Sequence, residues 1–386
     1  MHISKINKPF KQNFNDNVSF GQSKVHLWFD SDGTYFPDAD QNILKPEKHN
    51  SENFKQLRKA FESLNQFIKK FTDEVELNIT TGRNRGEYRH YLNLLKQSGL
   101  DWVVPSRLVI KNGGDVFLKS KNAPNPDNKL ESDWPSVNHV DQKKIQEINK
   151  ITNWDSSYIK SVILETLEEW DFPIVVAPSG YGDYGSKSYL HFWNLVNERF
   201  NNPWVAFVRQ DGDLSSYIGL PPNNAAKGVQ DSIIEAIKNK LDSRKISYDL
   251  TFVDHDPENS NGPSIIIKPK INNKPLDKVY DVKKALERAI KENDLVIVAG
   301  NGSNDMSMLD PDSYSDIAPP DKLPLISIIV GDDKKLKTLL KKYPEKVLEV
   351  DQYNLLNGVK EAIKKYAETC PDFKKTLNRK IAKDIY

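Results

Sequence analysis

Two carboxylates one residue apart stand in Asp30-Ser31-Asp32-Gly33-Thr34, directly after the apolar run Val25-His26-Leu27-Trp28-Phe29. A strand that ends this way places both carboxylates at the carboxyl edge of a sheet, where open α/β folds bind their ligands. The chemistry this offers is phosphoryl transfer. One carboxylate can attack phosphorus and form an aspartyl phosphate, the other can pass a proton to the leaving oxygen, and Mg²⁺ can gather both with the substrate's oxygens. Taken alone, the pentapeptide fits a plain surface turn equally well, because Asp-Gly is a common turn signal.

Two more apolar runs end in residues of matching chemistry. Val75, Leu77 and Ile79 alternate with polar residues and lead into Thr80-Thr81-Gly82-Arg83, while Leu295-Val296-Ile297-Val298-Ala299 leads into Gly300-Asn301-Gly302-Ser303-Asn304-Asp305. Each of these is by itself a simple turn, the first with an N-cap hydroxyl. Together the three strand ends offer a nucleophile, a proton donor, a hydroxyl for phosphoryl oxygens and acidic groups for a metal, which is what a phosphate monoester requires.

The elements that must hold these ends follow from periodicity. Phe54, Leu57, Phe61, Leu64, Ile68 and Phe71 recur at three- and four-residue steps as the stripe of an amphipathic helix that Ser51 can cap. A second helix runs through Tyr88, Tyr91, Leu92 and Leu95 to a stop at Gly99. Strand, helix, strand, helix begins a parallel sheet. From about residue 105 the texture changes: Leu108-Val109-Ile110, the turn Asn112-Gly113-Gly114 and Val116-Phe117-Leu118 predict a hairpin, followed by a Pro- and Asn-rich loop near 121–136. Helices near 156–170, 188–200 and 226–242, interleaved with apolar runs at 174–176, 205–208 and 246–253, predict a second α/β unit over 106–268. A helix near 282–292, the run 295–299, a short helix after Asp305, the run 325–330 and two further helices return to regular alternation. The expected fold class is α/β: a doubly wound, mainly parallel, Rossmann-like sheet over 22–105 and 269–386, with an inserted α/β cap domain over 106–268 and a mobile leader over 1–21.

At these residues the chain resembles the haloacid-dehalogenase-like phosphatases, in the Cof-like and sucrose-phosphatase-like branch that carries a large α/β cap. The resemblance rests on Asp30-x-Asp32-Gly33-Thr34, Thr81-Gly82-Arg83 and Gly300-x-Gly302-x-Asn304-Asp305, and covers about residues 24–105 and 270–367. It implies Asp30 as nucleophile, Asp32 as general acid and then base, Thr81 as phosphoryl ligand and a lysine that neutralises the reacting charges. Lys278, 22 residues before Gly300, fits that lysine better than Lys283, because a helix starting near Asp281 leaves Lys278 in the loop at the sheet edge. Gly33, Thr34, Gly82, Arg83 and Asn304 are then expected around the phosphate, and Asp30, Asp32, Asp305 and Asn301 around Mg²⁺. One residue departs from the pattern: Asn301 stands where the branch has aspartate, which keeps an oxygen donor but removes a charge and should weaken the metal site. The implied activity is Mg²⁺-dependent hydrolysis of a small phosphate monoester, a sugar phosphate by resemblance. A non-catalytic phospho-ligand binding protein and a phosphotransferase are the alternatives.

Composition excludes several other classes. Across 386 residues, 55 Lys+Arg against 54 Asp+Glu leave a formal charge of +1, so no global field favours nucleic acid or an acidic membrane surface. No apolar run approaches a membrane span. The single cysteine, Cys370, excludes an internal disulfide and a Cys-rich zinc site and suits a reducing, cytoplasmic setting. The expected partner is a small phosphorylated metabolite; oligomeric state is not encoded legibly. Gly180-Tyr181-Gly182-Asp183-Tyr184-Gly185-Ser186-Lys187-Ser188 is not a nucleotide P-loop, since Ser186 separates the last glycine from Lys187. It is read as a cap loop whose Tyr181, Tyr184 and Lys187 can reach the leaving group, with Arg209 as a weaker candidate. Asp254-His255-Asp256 is read as a solvated loop, and Trp170, Trp193 and Trp204 as cap core.

Overall fold

Val25–Asp30 forms β1, and all six of its residues are buried, as a strand covered by helices on both faces requires. The structure is a computed structural model that describes residues 22–37, 44, 48–83, 85–110, 113–119, 138–170, 174–176, 206–210, 213–220, 224–253 and 264–386. The leader, the glycine-rich stretch with Lys187, the expected helix near 188–200, Trp193, Trp204 and Asp254-His255-Asp256 lie outside those residues.

In chain order the elements after β1 are α1 (Glu52–Lys70), β2 (Val75–Thr80), α2 (Arg85–Gln97), β3 (Arg107–Ile110), β4 (Asp115–Lys119), β5 (Asn138–Val140), α3 (Gln142–Thr152), α4 (Ser156–Glu169), β6 (Ile174–Val176), β7 (Ala206–Gln210), β8 (Ser216–Gly219), α5 (Asn224–Ser243), β9 (Tyr248–Val253), β10 (Ser264–Ile271) and β11 (Lys274–Pro275). There follow α6 (Lys278–Glu292), β12 (Leu295–Gly300), α7 (Met306–Leu309), β13 (Leu325–Val330), α8 (Lys337–Lys342), β14 (Val347–Val350), α9 (Leu355–Thr369), α10 (Pro371–Thr376) and α11 (Arg379–Ile385).

The first sheet has the order β14-β13-β12-β1-β2-β3-β4-β5. Its pairs from β14 to β3 are parallel, and β4 and β5 are added antiparallel. From β1 the chain winds outward through β2 and β3; from β12, on the other side of β1, it winds the opposite way through β13 and β14. The carboxyl ends of β1 and β12 therefore sit at the topological switch point, where such sheets open a crevice. Register brings the three strand ends level, with Phe29 beside Ala299 and Asp30 beside Thr80. One face of the sheet buries Leu27, Phe29 and Ile79 under α1, α2, α9 and α11; the other buries Val296, Val298 and Ile329 under α6, α7 and α8. On α1 the predicted stripe is buried and the Ser51 side chain accepts a hydrogen bond from the Phe54 amide, so both cap and stripe act as the spacing requires.

A second sheet, β11-β10-β8-β7-β6 with β9 paired to β10, carries its own core of Ile145, Ile148, Ile159, Ile163, Ile218, Ile237, Ile265 and Ile267 under α3, α4 and α5. The fold is thus a doubly wound, mainly parallel α/β sheet with a second α/β unit inserted in it. The divide lies elsewhere than at residue 106, however. The β3–β4 hairpin and β5 pair with the first sheet, so the inserted core begins with α3 and extends to Leu276. Trp170 is 41% exposed, not core, because it caps α4 at its outer end.

Candidate active site

Asp30 is the last residue of β1 and is 5% exposed. Lys278, 2% exposed, reaches it from the opposite side of the switch point: its Nζ donates to Asp30 Oδ1 at 2.6 Å and to Asp305 Oδ1 at 2.7 Å. Lys278 belongs to the helix, since α6 starts there under an Asp277 N-cap that accepts from the Val279 amide, three residues earlier than the stripe predicts. Lys283, the other candidate, points instead to Asp316 at 2.7 Å.

Asp305 is fully buried, and both of its oxygens are engaged. Oδ1 takes the lysine, and Oδ2 accepts from the backbone amides of Asn301 and Gly302 at 3.1 and 3.2 Å. Asp305 thus closes its own loop and holds the ammonium. The closure needs small residues. A Cβ at Gly300 would lie 2.6 Å from Cβ of Asp305, and a Cβ at Gly33, where φ is +68°, would collide with the Asn301 side chain. Asn301 thus packs directly on the β1 loop, and Thr34 Oγ1 donates to its Oδ1 at 3.4 Å.

Asp32 is partly exposed and its Oδ2 accepts from Arg83 Nε at 2.7 Å. Arg83 is fixed in turn by its own backbone, whose amide donates to Thr81 Oγ1 at 3.1 Å, and its guanidinium lies 5.6 Å from the Tyr91 ring centroid. Thr81 is buried at the end of β2, with its amide donating to the Val109 carbonyl. Gly82 and Asn304 are exposed at the rim, and Thr34 is buried. The predicted residues of all three strand ends are therefore gathered at one edge of the sheet.

Charge balance explains the ionisation of the pair. Burial pushes the Asp30 carboxyl up to about 7; the Lys278 ammonium opposes that rise and the Asp305 and Asp32 carboxylates add to it. For Lys278, burial disfavours the charge, but Asp30 and Asp305 outweigh it and hold its pKa above the ordinary lysine value. One ammonium faces two carboxyl groups, so ionising Asp30 here is favoured by a further cation. The donors beside it are oxygens: the Asp30 and Asp32 carboxylates and the Asn301 amide. An all-oxygen set of this kind fits a hard divalent cation such as Mg²⁺, with one charge fewer than an aspartate at 301 would give.

Two groups in this edge lay beyond sequence reasoning: Asp277, which starts the lysine's helix, and the Arg83 contact to Asp32, whose partners are 51 residues apart. An Asp directly before a buried amphipathic stripe is the signal that could have found the first.

The chain is similar to the solved sucrose-phosphatase from Synechocystis sp. PCC6803 in complex with sucrose and phosphate (14% identity over 88% of this chain and 98% of that one, TM-score 0.41). It is also similar to a haloacid dehalogenase-like hydrolase from Bacillus subtilis (12%, 88% and 95%, TM-score 0.45) and to another from Bacteroides thetaiotaomicron (13%, 86% and 95%, TM-score 0.39). No protein-family model and no curated protein sequence matches the chain.

Proposed function

We propose that the chain hydrolyses a small phosphate monoester, of which a sugar phosphate is the class its sequence resemblance implies, through a phosphoryl group carried on Asp30. The observation that carries this reading is the buried Lys278 ammonium shared by Asp30 and Asp305 at the switch point of the sheet. Asp32 beside it, partly exposed and bonded to Arg83, supplies the second group that such chemistry needs.

Asp30 Oδ attacks phosphorus while the ester P–O bond breaks, and the departing oxygen takes a proton from Asp32. In the second half, Asp32 takes a proton from water, the water oxygen bonds to phosphorus and the P–Oδ bond breaks to free phosphate. Lys278 favours the ionised form of Asp30 against its burial and offsets charge on the phosphoryl oxygens, to which the Thr81 hydroxyl and the nearby backbone amides can donate. Arg83 Nε donates to Asp32 Oδ2, so proton donation from Asp32 requires the guanidinium to move aside, and a phosphate dianion is the group that can draw it. Asp30 and Asn301, with Asp32 beside them, would hold Mg²⁺, which when bound supplies positive charge to the phosphoryl group. The unit built on the second sheet is the cap, and substrate choice resides there and in its loops.

Turnover of an aryl phosphate with and without added Mg²⁺ tests the reading. Metal-dependent release of phosphate supports it. Tight binding of a phosphate ester without release indicates a phospho-ligand binding protein, and transfer to an added alcohol in preference to water indicates a phosphotransferase.

A further inference from the structure

A second buried charge cluster lies where the chain passes between its two units. Asp281, in the first turns of α6, has one carboxylate oxygen on Lys144 Nζ at 2.6 Å and the other on Arg107 Nη1 at 3.3 Å. Arg107 also reaches Asp141 at 2.9 Å, and Asp141 is the N-cap of α3, accepting from the Lys144 amide. The side chains of Lys144 and Asp281 are 5% and 4% exposed. These four residues come from the first sheet (Arg107 on β3), from the exit into the inserted unit (Asp141 and Lys144) and from the helix that begins at the return (Asp281). Around them α3 and α6 share Glu147, which meets Tyr280 at 3.2 Å and Lys284 at 3.1 Å, and the Lys144 ammonium lies 5.3 Å from the Tyr280 ring centroid.

Two positive and two negative charges balance here, so this cluster has no excess to offer a ligand. What it has is position. Asp281 lies three residues after Lys278, one turn along the same helix, and a helix's first turn is its least constrained. Pulling α3 away from α6 would strand Lys144 as a buried, unpaired charge and leave Asp281 only its longer contact to Arg107, and an unpaired buried charge is among the costliest changes a core can suffer. The cluster therefore fixes the turn from which Lys278 reaches Asp30 and Asp305. Sub-ångström placement of such a group is worth large factors in rate.

We infer that Lys144 and Asp281 are positioning residues for Lys278, so that the seating of the inserted unit's first helix is coupled to the geometry of the ammonium at Asp30. This rests on the phosphoryl-transfer reading above. The coupling acts through two residues outside the crevice, and neither touches the reacting atoms.

The test is a double replacement, Lys144→Met with Asp281→Asn, which removes both charges together and leaves Arg107 paired with Asp141. In the full chain kcat on an aryl phosphate should fall about 10- to 100-fold, with KM changed less than about 3-fold. The same replacement in a Lys278→Met background should cause no further fall, because the residue it positions is already gone. Lys144→Arg, which keeps the charge, should retain most of the turnover that Lys144→Met loses. An unchanged kcat, or an equal loss in the Lys278→Met background, overturns the inference, the latter by revealing general destabilisation. Asp281→Glu, which keeps the charge and shifts its position, serves if the double variant does not fold, with the same two outcomes. A wild-type chain inactive on every phosphate monoester would sink the phosphoryl-transfer reading, and the coupling is then read by ¹⁵N NMR. Faster exchange of the Lys278 ammonium protons in the variant than in wild type supports it; equal exchange overturns it.

Discussion

The two ends of β1 solve the same electrostatic problem in different ways. At its carboxyl end Asp30 and Asp305 share the Lys278 ammonium. Near its amino end His26 is held between Glu76 at 2.7 Å, on Nδ1, and Asp294 at 2.9 Å, on Nε2. Both ring nitrogens face carboxylates, an arrangement that favours the protonated ring. Asp294 also accepts from the Lys24 amide, and Ser23 bonds to the Asn293 carbonyl, so this end is stitched shut by backbone. The carboxyl end keeps a partly exposed carboxylate, Asp32, at the switch point of the sheet. Both ends hold two carboxylates around one cation, so a buried charge cluster alone does not mark a functional site. What sets the carboxyl end apart is its place at the switch point and the neighbouring Asp32.

The comparison breaks first at Lys278. Lys278→Met should lower turnover about 10²- to 10³-fold, the usual loss on removing one charge-stabilising group from a reacting centre, when kcat is measured at saturating Mg²⁺. His26→Gln should leave turnover unchanged at that same concentration. An equal loss of turnover in both variants would erase the distinction between the two ends.

His26 should instead govern stability and its pH dependence. Burial lowers its proton affinity, but the bonds to Asp294 and Glu76 outweigh that and hold its pKa above the ordinary histidine value, so its contribution is full below the unfolded value and is lost as pH rises through the folded one. For Glu76 burial acts upward, but His26 and Arg288 hold it below the usual carboxylate range, so its contribution is present above the unfolded value and lost as pH falls through the folded one. The cluster therefore stabilises most between about pH 4.5 and 6.5, set by the unfolded glutamate and histidine values. Denaturant melts should show His26→Gln costing roughly 1–3 kcal/mol in that window and less at pH 8. A pH-independent loss would contradict this assignment.

The smallest expected effect is at Asn301. Restoring a carboxylate with Asn301→Asp should lower the Mg²⁺ concentration for half-maximal turnover about tenfold, or about 1.4 kcal/mol, without a large change in kcat at saturation. No shift in the Mg²⁺ titration would place the metal away from this loop.

Legibility in the sequence followed from whether a residue's surroundings are local. β1, β12 and β13 are buried on both faces, and their near-continuous apolar runs announce it. α1 shows its stripe and its cap within a few residues. β14 escaped because Val347–Val350 is a short edge strand only partly buried, and α3 because buried Lys144 interrupts its stripe. The start of α6 was hidden for the same reason: Lys278 is buried only because Asp30, 248 residues away, and Asp305 receive it. The β3–β5 segment looked like the entrance to the insert because its antiparallel texture differs from the strands before it, but backbone pairing joins it to the first sheet. Within the site, residue types were readable from three strand ends, whereas the Arg83–Asp32 pair and the saturation of Asp305 depend on long-range contacts that local patterns do not carry.

The central claim is a phosphoryl group on Asp30, and borohydride quenching during turnover of an aryl phosphate, followed by peptide mass spectrometry, tests it directly. An acyl phosphate at that position is reduced to homoserine, so the account predicts homoserine at residue 30 in the wild-type chain only when substrate and Mg²⁺ are both present, and no turnover in Asp30→Asn. Turnover with residue 30 unmodified, or undiminished hydrolysis by Asp30→Asn, would contradict it.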